Sequence, residues 1–413
     1  MEEKKVILKK GEGRSLKSGG AWVFDNEVSG TIGEIENGDI IIVEDFDGYF
    51  LGYGFINFNS KIRVRMLSRY RQEPIDDDFL ALRAKEAWDY RKAVIDTSSC
   101  RVIFGEADYL PGLTVDKYED ILVFECLALG MDKIKEPILM GLVKDMEEDG
   151  VIINGIFERS DAGVRKKEGL LPKTGWFWKR EGCEDLTPIV TIIENGIHYT
   201  VDVENGQKTG FFLDQKINRS YVQEMIKRMK SDGETVRVLD CFTHMGTFAL
   251  NAGLGGADSV LGLDISEFAV SEATKNAEDN GLSDRVSFRT ADVFEELPKQ
   301  IEDKAQYDFV ILDPPAFTKS KEATKKAVNG YRQINIRGLG LVRNGGYMAT
   351  CSCSHFMTQE LFEKMMREAA KGAKKRIRQV LFSTQAPDHP ILINGDENSY
   401  YLKFYIFQVV DEK

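Results

Sequence analysis

Two aspartates on either side of a glycine-containing loop are the first residues in this chain whose types and spacing suggest chemistry. The apolar run 236–239 ends in Asp240, and a second apolar run, 260–263, ends in Asp264. Gly246 lies between them in a segment typical of a turn followed by a helix. The pattern predicts a strand–loop–helix–strand unit with an acid at the end of each strand. Ligands bind beyond the carboxyl ends of parallel strands, so this unit is predicted to bind a nucleoside.

The glycine spacing in this loop narrows the choice of nucleoside. A dinucleotide-binding loop has three glycines spaced G-x-G-x-x-G, whereas here Thr-His-Met at 243–245 precedes the single Gly246. The loop therefore lacks a cradle for a diphosphate. S-adenosylmethionine fits better, because its sulfonium and amino-acid portion need an acid such as Asp240 and exposed loop amides. Asp264 is then predicted to bind the ribose hydroxyls.

A third acid is followed by two prolines at the end of a later apolar run, YDFVILDPPAF. Proline cannot continue a central strand, so Pro314 and Pro315 predict a rigid elbow at the carboxyl edge of the sheet. Beside a methyl donor, such an elbow can hold a planar base. Asp313 can then bond to a ring nitrogen or an exocyclic amine of that base.

Two cysteines end the next predicted strand, GGYMATCSCSHF. Strand alternation places Cys351 and Cys353 on the same face, with Cys353 farther out. The C-x-C spacing could belong to a metal site, but His355 alone does not complete one, and no metal is predicted. Buried, inert thiols are the ordinary expectation for a strand. A position beside a predicted donor and base pocket favours a nucleophile instead.

Methylation of an aromatic ring carbon explains the presence of such a thiol. Cytosine C5 is a weak nucleophile, and addition of a thiolate to C6 converts the ring into an enamine whose C5 can accept a methyl group. An exocyclic amine or a ribose hydroxyl needs no thiol. Methylation of a purine amine therefore stays open, with Asp-Pro-Pro sufficient and Cys353 dispensable.

Seven predicted strands position these residues. With helices between them, they predict an α/β fold, a doubly wound and mostly parallel Rossmann-like sheet with right-handed crossovers. The predicted strands are 236–241, 259–265, 286–291, 307–313, 346–352, 378–384 and 402–410.

Three domains are predicted for the 413 residues. Residues 1–71 are rich in β-formers and glycine and predict a small β-barrel with basic and aromatic side chains, which suit either a solvated face or RNA contact. Residues 72–186 predict an α+β module, whose Arg159, Arg165, Lys166 and Lys167 suit either a phosphate-facing edge or a solvated loop. Residues 187–413 begin with a hairpin and form the donor-binding domain.

Composition limits the class of protein. The formal net charge of −12 argues against non-specific coating of nucleic acid. The chain has no apolar stretch of membrane-spanning length and no N-terminal signal region, so a cytoplasmic protein without membrane association is expected. Six cysteines without paired C-x-x-C spacing predict reduced thiols.

Taken together, the motifs resemble those of a known family over essentially the whole chain. The sequence is similar to the bacterial ribosomal RNA large-subunit methyltransferase I family, whose members are S-adenosylmethionine-dependent cytosine-C5 methyltransferases with an N-terminal PUA domain. The segments that carry the resemblance are GGAWVFDNEV, EADYLPGLTVDKY, FERSDAGVRKKEGL, ENGQKTGFFLDQKINR, VLDCFTHMGTFALNAGLGGA, GLDIS, LDPPAF and CSCSHF.

The resemblance implies roles for individual residues. Donor-binding roles fall on residues at the start of the methyltransferase domain, in the donor loop and at later strand ends: Lys208, Thr209, Phe212, Asp214, Asp240, Phe242, Thr243, Gly246, Asp264, Ser266, Asp292 and Asp313. The target-base loop is Asp313 to Phe317, including Pro314 and Pro315.

The family's T-C-S motif leaves two candidates for the nucleophile. A gapless count from the glycine pair 345–346 places Cys353 at the family's cysteine, although the literal T-C-S falls at 350–352. We choose Cys353 because it lies nearer the strand end. Many relatives have a second cysteine after the proline, and Asp-Pro-Pro-Ala offers none. The base that removes the C5 proton is therefore unassigned.

The sequence thus predicts a cytosine-C5 methyltransferase that acts on large-subunit ribosomal RNA, with Cys353 and Asp313 as catalytic residues. A homodimer is one assembly that the sequence allows. A non-catalytic RNA-binding protein that uses the donor domain as a scaffold is the competing class. Failure to bind the donor would favour that class.

Overall fold

A computed structural model describes residues 3–71, 75–318, 323–393 and 399–412. The chain forms two compact units. The first contains Met1–Ile192, Thr200–Leu213 and Pro387–Ser399, and the second contains Ile193–Tyr199, Asp214–Ala386 and Tyr400–Lys413. The predicted boundaries after residues 71 and 186 stay predictions, and residue 72 lies outside the described ranges.

The N-terminal part of the first unit is a β-rich domain, as predicted. Within the described residues 3–71, six strands form one sheet in the order β2-β6-β5-β4-β1-β3. All neighbours are antiparallel except β1 and β4. Residues such as Val6, Val43 and Val64 are fully buried in its core. The elements are β1 (Lys5–Leu8), α1 (Arg14–Lys17), β2 (Trp22–Phe24), β3 (Val28–Ile32), β4 (Ile40–Glu44), β5 (Phe50–Ile56) and β6 (Ile62–Ser68).

The second part of the first unit has its own sheet and its own core. In the described part of this region, five strands follow the order β11-β10-β9-β8-β7, and two long helices pack on them through residues such as Trp88 and Leu139. The elements are α2 (Asp77–Val94), β7 (Ser99–Phe104), β8 (Leu113–Tyr118), β9 (Ile121–Cys126), α3 (Leu129–Glu148), β10 (Gly155–Ser160) and β11 (Lys173–Lys179).

Two of the basic residues in this module have structural roles. Arg159 is buried and donates hydrogen bonds to the carbonyl oxygens of Val203 and Gly206. Arg165 is also buried and donates to carbonyl oxygens, including that of Leu171 at 2.9 Å. Buried guanidinium groups that donate to backbone carbonyls of the protein do not face phosphates. The prediction of a phosphate-facing or solvated edge is therefore wrong for these two arginines.

The predicted hairpin at residues 187–203 is confirmed. Its strands, β12 (Ile189–Glu194) and β13 (Ile197–Asp202), pair with each other. Asn195 and Gly196 connect them with φ values of 53° and 82°. Positive φ at both central positions is the signature of a type I′ turn.

The second unit contains the predicted Rossmann-like sheet. Of the described strands, seven form it in the order β16-β15-β14-β17-β18-β20-β19. The first five are parallel, and β20 is antiparallel to both of its neighbours. The elements are α4 (Lys216–Ser231), β14 (Arg237–Cys241), α5 (Thr247–Leu254), β15 (Ser259–Asp264), α6 (Glu267–Asp279), β16 (Val286–Thr290), α7 (Val293–Glu302), β17 (Tyr307–Leu312), α8 (Thr324–Leu341), β18 (Val342–Ser352), α9 (Gln359–Gly372), β19 (Lys375–Ser383) and β20 (Lys403–Asp411).

This sheet places four predicted strand ends side by side. β14 and β17 are central and almost wholly buried, which explains their uninterrupted apolar sequences. Because β15, β14, β17 and β18 are parallel neighbours, their carboxyl ends lie along one edge. Across the described ranges, none of the helices is both long and apolar enough to cross a bilayer.

Candidate active site

The loop between β14 and α5 has an unusual backbone. Phe242, His244 and Gly246 have φ values of 64°, 49° and 81°, so they lie in the left-handed region. That conformation is unfavourable for Phe and His, and such strain is concentrated at functional sites. A Cβ on Gly246 would lie 2.6 Å from Cζ of Phe288. The predicted loop glycine is therefore required both by its backbone angle and by the close packing of Phe288.

Asp240 lies at the end of β14 and is completely buried. Its Oδ2 accepts hydrogen bonds from the Thr243 hydroxyl and from the Ala249 amide, at 2.5 and 3.0 Å. Its Oδ1 has no hydrogen-bond partner among the described residues. Burial, with smaller effects from the charges of Asp313 and Asp264, raises the pKa of Asp240 to about 7. An unsatisfied buried carboxylate oxygen is costly, and a cationic or hydrogen-bonding ligand would relieve it.

Asp264 holds the donor loop from the end of β15. Its Oδ2 accepts from the amide of His244 and its Oδ1 from the amide of Ser266, both at 2.9 Å. The Ser266 hydroxyl in turn caps α6 by accepting from Ala269. The Asp292 carboxylate caps α7 in the same way by accepting from Phe294. Two of the predicted donor residues, Ser266 and Asp292, are thus helix caps in this structure.

Asp313 follows β17 and contacts one of the two candidate cysteines. Its Oδ1 accepts from Sγ of Cys351 at 2.9 Å and from Nε2 of Gln215 at 3.3 Å. Burial raises the pKa of Asp313 to about 6. Burial, together with the Asp313 charge, also raises the pKa of the Cys351 thiol well above its ordinary value. Cys351 is therefore a protonated, buried hydrogen-bond donor.

Cys353 has a different environment from Cys351. It lies one residue beyond the end of β18 and is partly exposed, whereas Cys351 is 1% exposed. In the neighbouring β20, Lys403 pairs with Ser352 across the sheet. Of these two cysteines, only Cys353 therefore lies where a ligand can reach it.

Lys403 is a buried cation beside Cys353 and was missed by the sequence analysis. It is 1% exposed, and its Nζ donates to the carbonyl oxygens of Ser354 and Tyr401 at 2.6 and 2.8 Å. Burial lowers the pKa of Lys403 to about 8, against the opposing effect of Cys353 and Cys351. A lysine at the start of the apolar run LKFYIFQVV was the only signal in the sequence.

A row of aromatic rings accompanies the base loop. Phe317 lies 4.5 Å from Tyr331 and 5.8 Å from Phe294, measured between ring centroids. Phe294 is 6.4 Å from Phe242 of the donor loop. Within the proline pair 314–315, the first residue is buried and the second is exposed. The row links the donor loop to the predicted base loop and offers faces on which planar rings can stack.

The residues predicted to close over the donor are divided between the two units. In the first unit, the Thr209 hydroxyl donates to the Asp116 carboxylate, and Nζ of Lys208 lies 4.8 Å from the ring centroid of Phe212. In the second unit, Asp214 accepts a hydrogen bond from the Tyr401 hydroxyl at 2.7 Å. The donor-binding roles of these residues stay predictions.

The site as a whole fits S-adenosylmethionine. Asp240, Asp264 and Asp313 end three adjacent strands, and two of them have raised pKa values. A sulfonium and an ammonium group would neutralise this carboxylate cluster. Within the described residues, no group of three or more His, Cys, Asp or Glu side chains could hold a metal ion.

Donor binding should weaken as the pH falls from 8 to 6. Both carboxyl groups are ionised at pH 8, and protons bind to Asp240 near pH 7 and to Asp313 near pH 6. The cationic donor favours the ionised forms, so we expect about a tenfold rise in Kd and release of protons on binding. Titration calorimetry in buffers of different ionisation enthalpy measures both effects. An Asp240→Asn variant should lose most of the pH dependence, and equal dependence in both proteins would contradict the assignment.

Family matches agree with the fold and the site. Residues 6–69 match the PUA-like domain family, and residues 177–385 match the S-adenosylmethionine-dependent methyltransferase family. The chain is therefore an S-adenosylmethionine-dependent methyltransferase with an N-terminal PUA-like domain.

The ribosomal RNA large subunit methyltransferase I of Alteromonas mediterranea is 38% identical over 98% of this chain and 99% of its own length. That of Shewanella frigidimarina is 37% identical over the same shares. The chain belongs to the ribosomal RNA large subunit methyltransferase I family.

Solved structures support the fold over the whole chain. An S-adenosylmethionine-dependent methyltransferase from Streptococcus mutans superposes with a TM-score of 0.78 at 20% identity and covers 98% of this chain and 99% of its own. A methyltransferase solved in complex with S-adenosylhomocysteine gives a TM-score of 0.80 at the same identity and coverage.

Proposed function

We propose that the protein methylates C5 of a cytosine in large-subunit ribosomal RNA and that Cys353 is the nucleophile. The observation that carries this proposal is the contrast between the two cysteines at the end of β18. Cys353 is partly exposed just beyond the strand, and Cys351 is buried and donates to Asp313. A role as nucleophile is sufficient to explain a partly exposed thiol at the edge of a methyltransferase sheet.

The proposed chemistry divides between the bound donor and the residues of the chain. S-adenosylmethionine supplies an electrophilic methyl group, and Asp240 and Asp264 hold it at the donor loop. The Cys353 thiolate adds to C6 of the cytosine, which makes C5 nucleophilic. The ionised Asp313 can accept a hydrogen bond from the exocyclic N4 amine of the cytosine and hold the ring in place during the addition. C5 then attacks the methyl group, and S-adenosylhomocysteine is the leaving group. A base removes the C5 proton, and the electrons of that C–H bond expel the thiolate from C6 and restore the aromatic ring.

The choice of RNA as substrate rests on the family. The curated relatives carry ribosomal RNA large subunit in their names. The PUA-like domain exposes aromatic rings such as Tyr49 and Phe58 next to Lys17 and Arg63, a combination found on RNA-binding surfaces. A cytoplasmic location follows for an enzyme with this substrate, and a homodimer stays a proposal.

Nucleoside analysis tests the proposal. The pure protein is incubated with radiolabelled S-adenosylmethionine and unmodified large-subunit ribosomal RNA, and the RNA is digested to nucleosides. We expect the label in 5-methylcytidine. Label in a methylated purine would instead favour transfer to an amine, for which the Asp313-Pro314-Pro315 loop suffices, and would make Cys353 a structural residue.

Lys403 should help to keep Cys353 reactive at neutral pH. A cation beside a thiol favours the thiolate, so Lys403→Met should move the midpoint of the pH profile for iodoacetamide alkylation of Cys353 upward by about one unit. Methyl transfer at pH 7.5 should fall about tenfold and recover at higher pH. Peptide mapping by mass spectrometry follows the Cys353 site alone.

The same substitution at Lys375 provides the control. Lys375 is also a mostly buried lysine in this sheet, but its Nζ bonds to Asp411 and to the carbonyl oxygen of Val342. Lys375→Met should leave the alkylation midpoint unchanged. An unchanged midpoint in Lys403→Met would show that the lysine has only a packing role.

A further inference from the structure

A cavity of about 410 Å³ lies in the first unit and has no role in the proposed methyl transfer. This volume is near the lower end of the range for small-molecule sites, about 300–1,000 Å³. Its lining brings together three cationic side chains and two tyrosines from α1, the residues just after β6, α2 and the segment after β7: Lys17, Arg69, Arg83, Tyr70 and Tyr109.

The two tyrosines present unusually exposed rings. Tyr70 is 66% exposed and Tyr109 is 50% exposed. Tyr109 has a φ of 58°, a left-handed conformation that is unfavourable for an aromatic residue. The guanidinium of Arg83 lies 5.3 Å from the centroid of the Tyr109 ring and orients it. The oriented Tyr109 ring and the exposed Tyr70 ring in the same lining are platforms on which a base can stack.

The charges in the cavity favour an anion. Arg69 is held by the carbonyl oxygens of Leu16 and Gly20, so its positive charge is not neutralised by these contacts. The lining contains one acid, Glu106, which accepts from the Trp22 indole and pairs with Arg65. Its charge is therefore offset by Arg65.

The other two cations, Lys17 and Arg83, form weak ion pairs and can also contact a ligand. Lys17 pairs with Asp45, and Arg83 pairs with Glu86, both of which lie outside the lining. The Lys17 side chain is 49% exposed and Glu86 is 54% exposed, so these pairs are partly open to water and weak. A phosphate can compete for such cations.

We infer that this cavity takes one unstacked nucleotide of a single-stranded RNA segment, with the base on the tyrosines and the phosphate on the cations. The inference rests on the proposed function, because RNA is the substrate there. A flexible strand can place a base in a cavity, whereas a duplex keeps its bases stacked. The site would position the RNA substrate and take no part in the chemistry.

Fluorescence anisotropy with the full-length protein tests the inference. The probes are a labelled single-stranded 12-nucleotide RNA, the same strand annealed to its complement, and cytidine monophosphate as competitor. Tyr70→Ala and Tyr109→Asn each remove a ring, and asparagine tolerates the left-handed backbone at position 109. We expect each variant to bind the single strand about tenfold more weakly, since stacking on an aromatic ring contributes about 1–3 kcal/mol per base.

Phe46→Ala is the matched control, because Phe46 is 53% exposed in the same unit but does not line the cavity. It should bind the strand like the wild type. Equal strand affinity in all the proteins, or equal loss in the control, would overturn the inference, as would preference for the duplex. Competition by the monophosphate without any effect of the variants on the strand would also overturn it.

Donor affinity separates this result from the proposed function. All three variants should bind S-adenosylmethionine with the wild-type Kd, and their circular dichroism spectra and thermal unfolding curves should match those of the wild type, which shows that the first unit is folded. Loss of strand binding in the two tyrosine variants supports the cavity even if nucleoside analysis finds no 5-methylcytidine. Formation of 5-methylcytidine with unchanged strand binding in these variants overturns the cavity and leaves the proposed function intact.

Discussion

Replacing Cys353 with alanine is expected to lower kcat for methyl transfer by about 10³-fold or more, because loss of a covalent nucleophile removes the whole route through the enamine. The Kd for S-adenosylmethionine should stay within about twofold of the wild-type value, since the thiol acts on the base. Single-turnover kinetics with labelled donor and equilibrium dialysis measure the two quantities.

Cys351→Ala is the matched control for this result. Cys351 is buried, and its thiol donates to Asp313, so its removal deprives that carboxyl of one hydrogen bond. We expect a smaller loss of turnover, about tenfold. An inactive Cys351→Ala together with an active Cys353→Ala would assign the nucleophile to Cys351, where the literal T-C-S lies.

Asp264→Ala is expected to weaken S-adenosylmethionine binding by about 100-fold. The carboxylate accepts from His244 and Ser266, and each hydrogen bond to a charged group is worth about 1.5–3 kcal/mol. Without the carboxylate, this hydrogen bond no longer holds the backbone of His244 in the left-handed region. The proposed bonds to the ribose are lost as well. Titration calorimetry at pH 8 measures the change.

Asp292→Ala removes the same charge from the next strand end along the sheet. Because this carboxylate caps α7, we expect a loss of about 0.5–2 kcal/mol in the free energy of unfolding. The Kd for the donor should rise by about tenfold or less, through any contact with the adenine. A wild-type Kd in Asp264→Ala, or a larger effect in Asp292→Ala, would contradict the role given to Asp264.

Much of the donor half of the site could be predicted from the sequence because it depends on local patterns. The apolar runs of β14, β15 and β17 are buried on both faces, and each ends directly before or at an acid. Parallel strands then bring Asp240, Asp264 and Asp313 to one edge without further information. Asn195 and Gly196 predicted their turn for an equally local reason, their tolerance of positive φ.

The rest depends on contacts between residues that are far apart in sequence. Lys403 lies next to Cys353 only because β20 inserts antiparallel beside β18, and strand order is not encoded in periodicity. Gln215 bonds to Asp313 from a position 98 residues earlier in the chain. Arg159 was misinterpreted because its carbonyl partner, Val203, is likewise distant in sequence.

The most direct test of the proposed mechanism is to trap the covalent intermediate between Cys353 and the cytosine. Large-subunit ribosomal RNA transcribed with 5-fluorocytidine has no C5 proton to lose, so the cysteine–C6 adduct should persist after methyl transfer. If Cys353 is the nucleophile, a protein–RNA complex that resists denaturation should form only with S-adenosylmethionine and should yield on digestion a nucleotide-modified peptide containing Cys353. Methyl transfer to this RNA without such a complex, or a modified Cys351, would contradict the proposed mechanism.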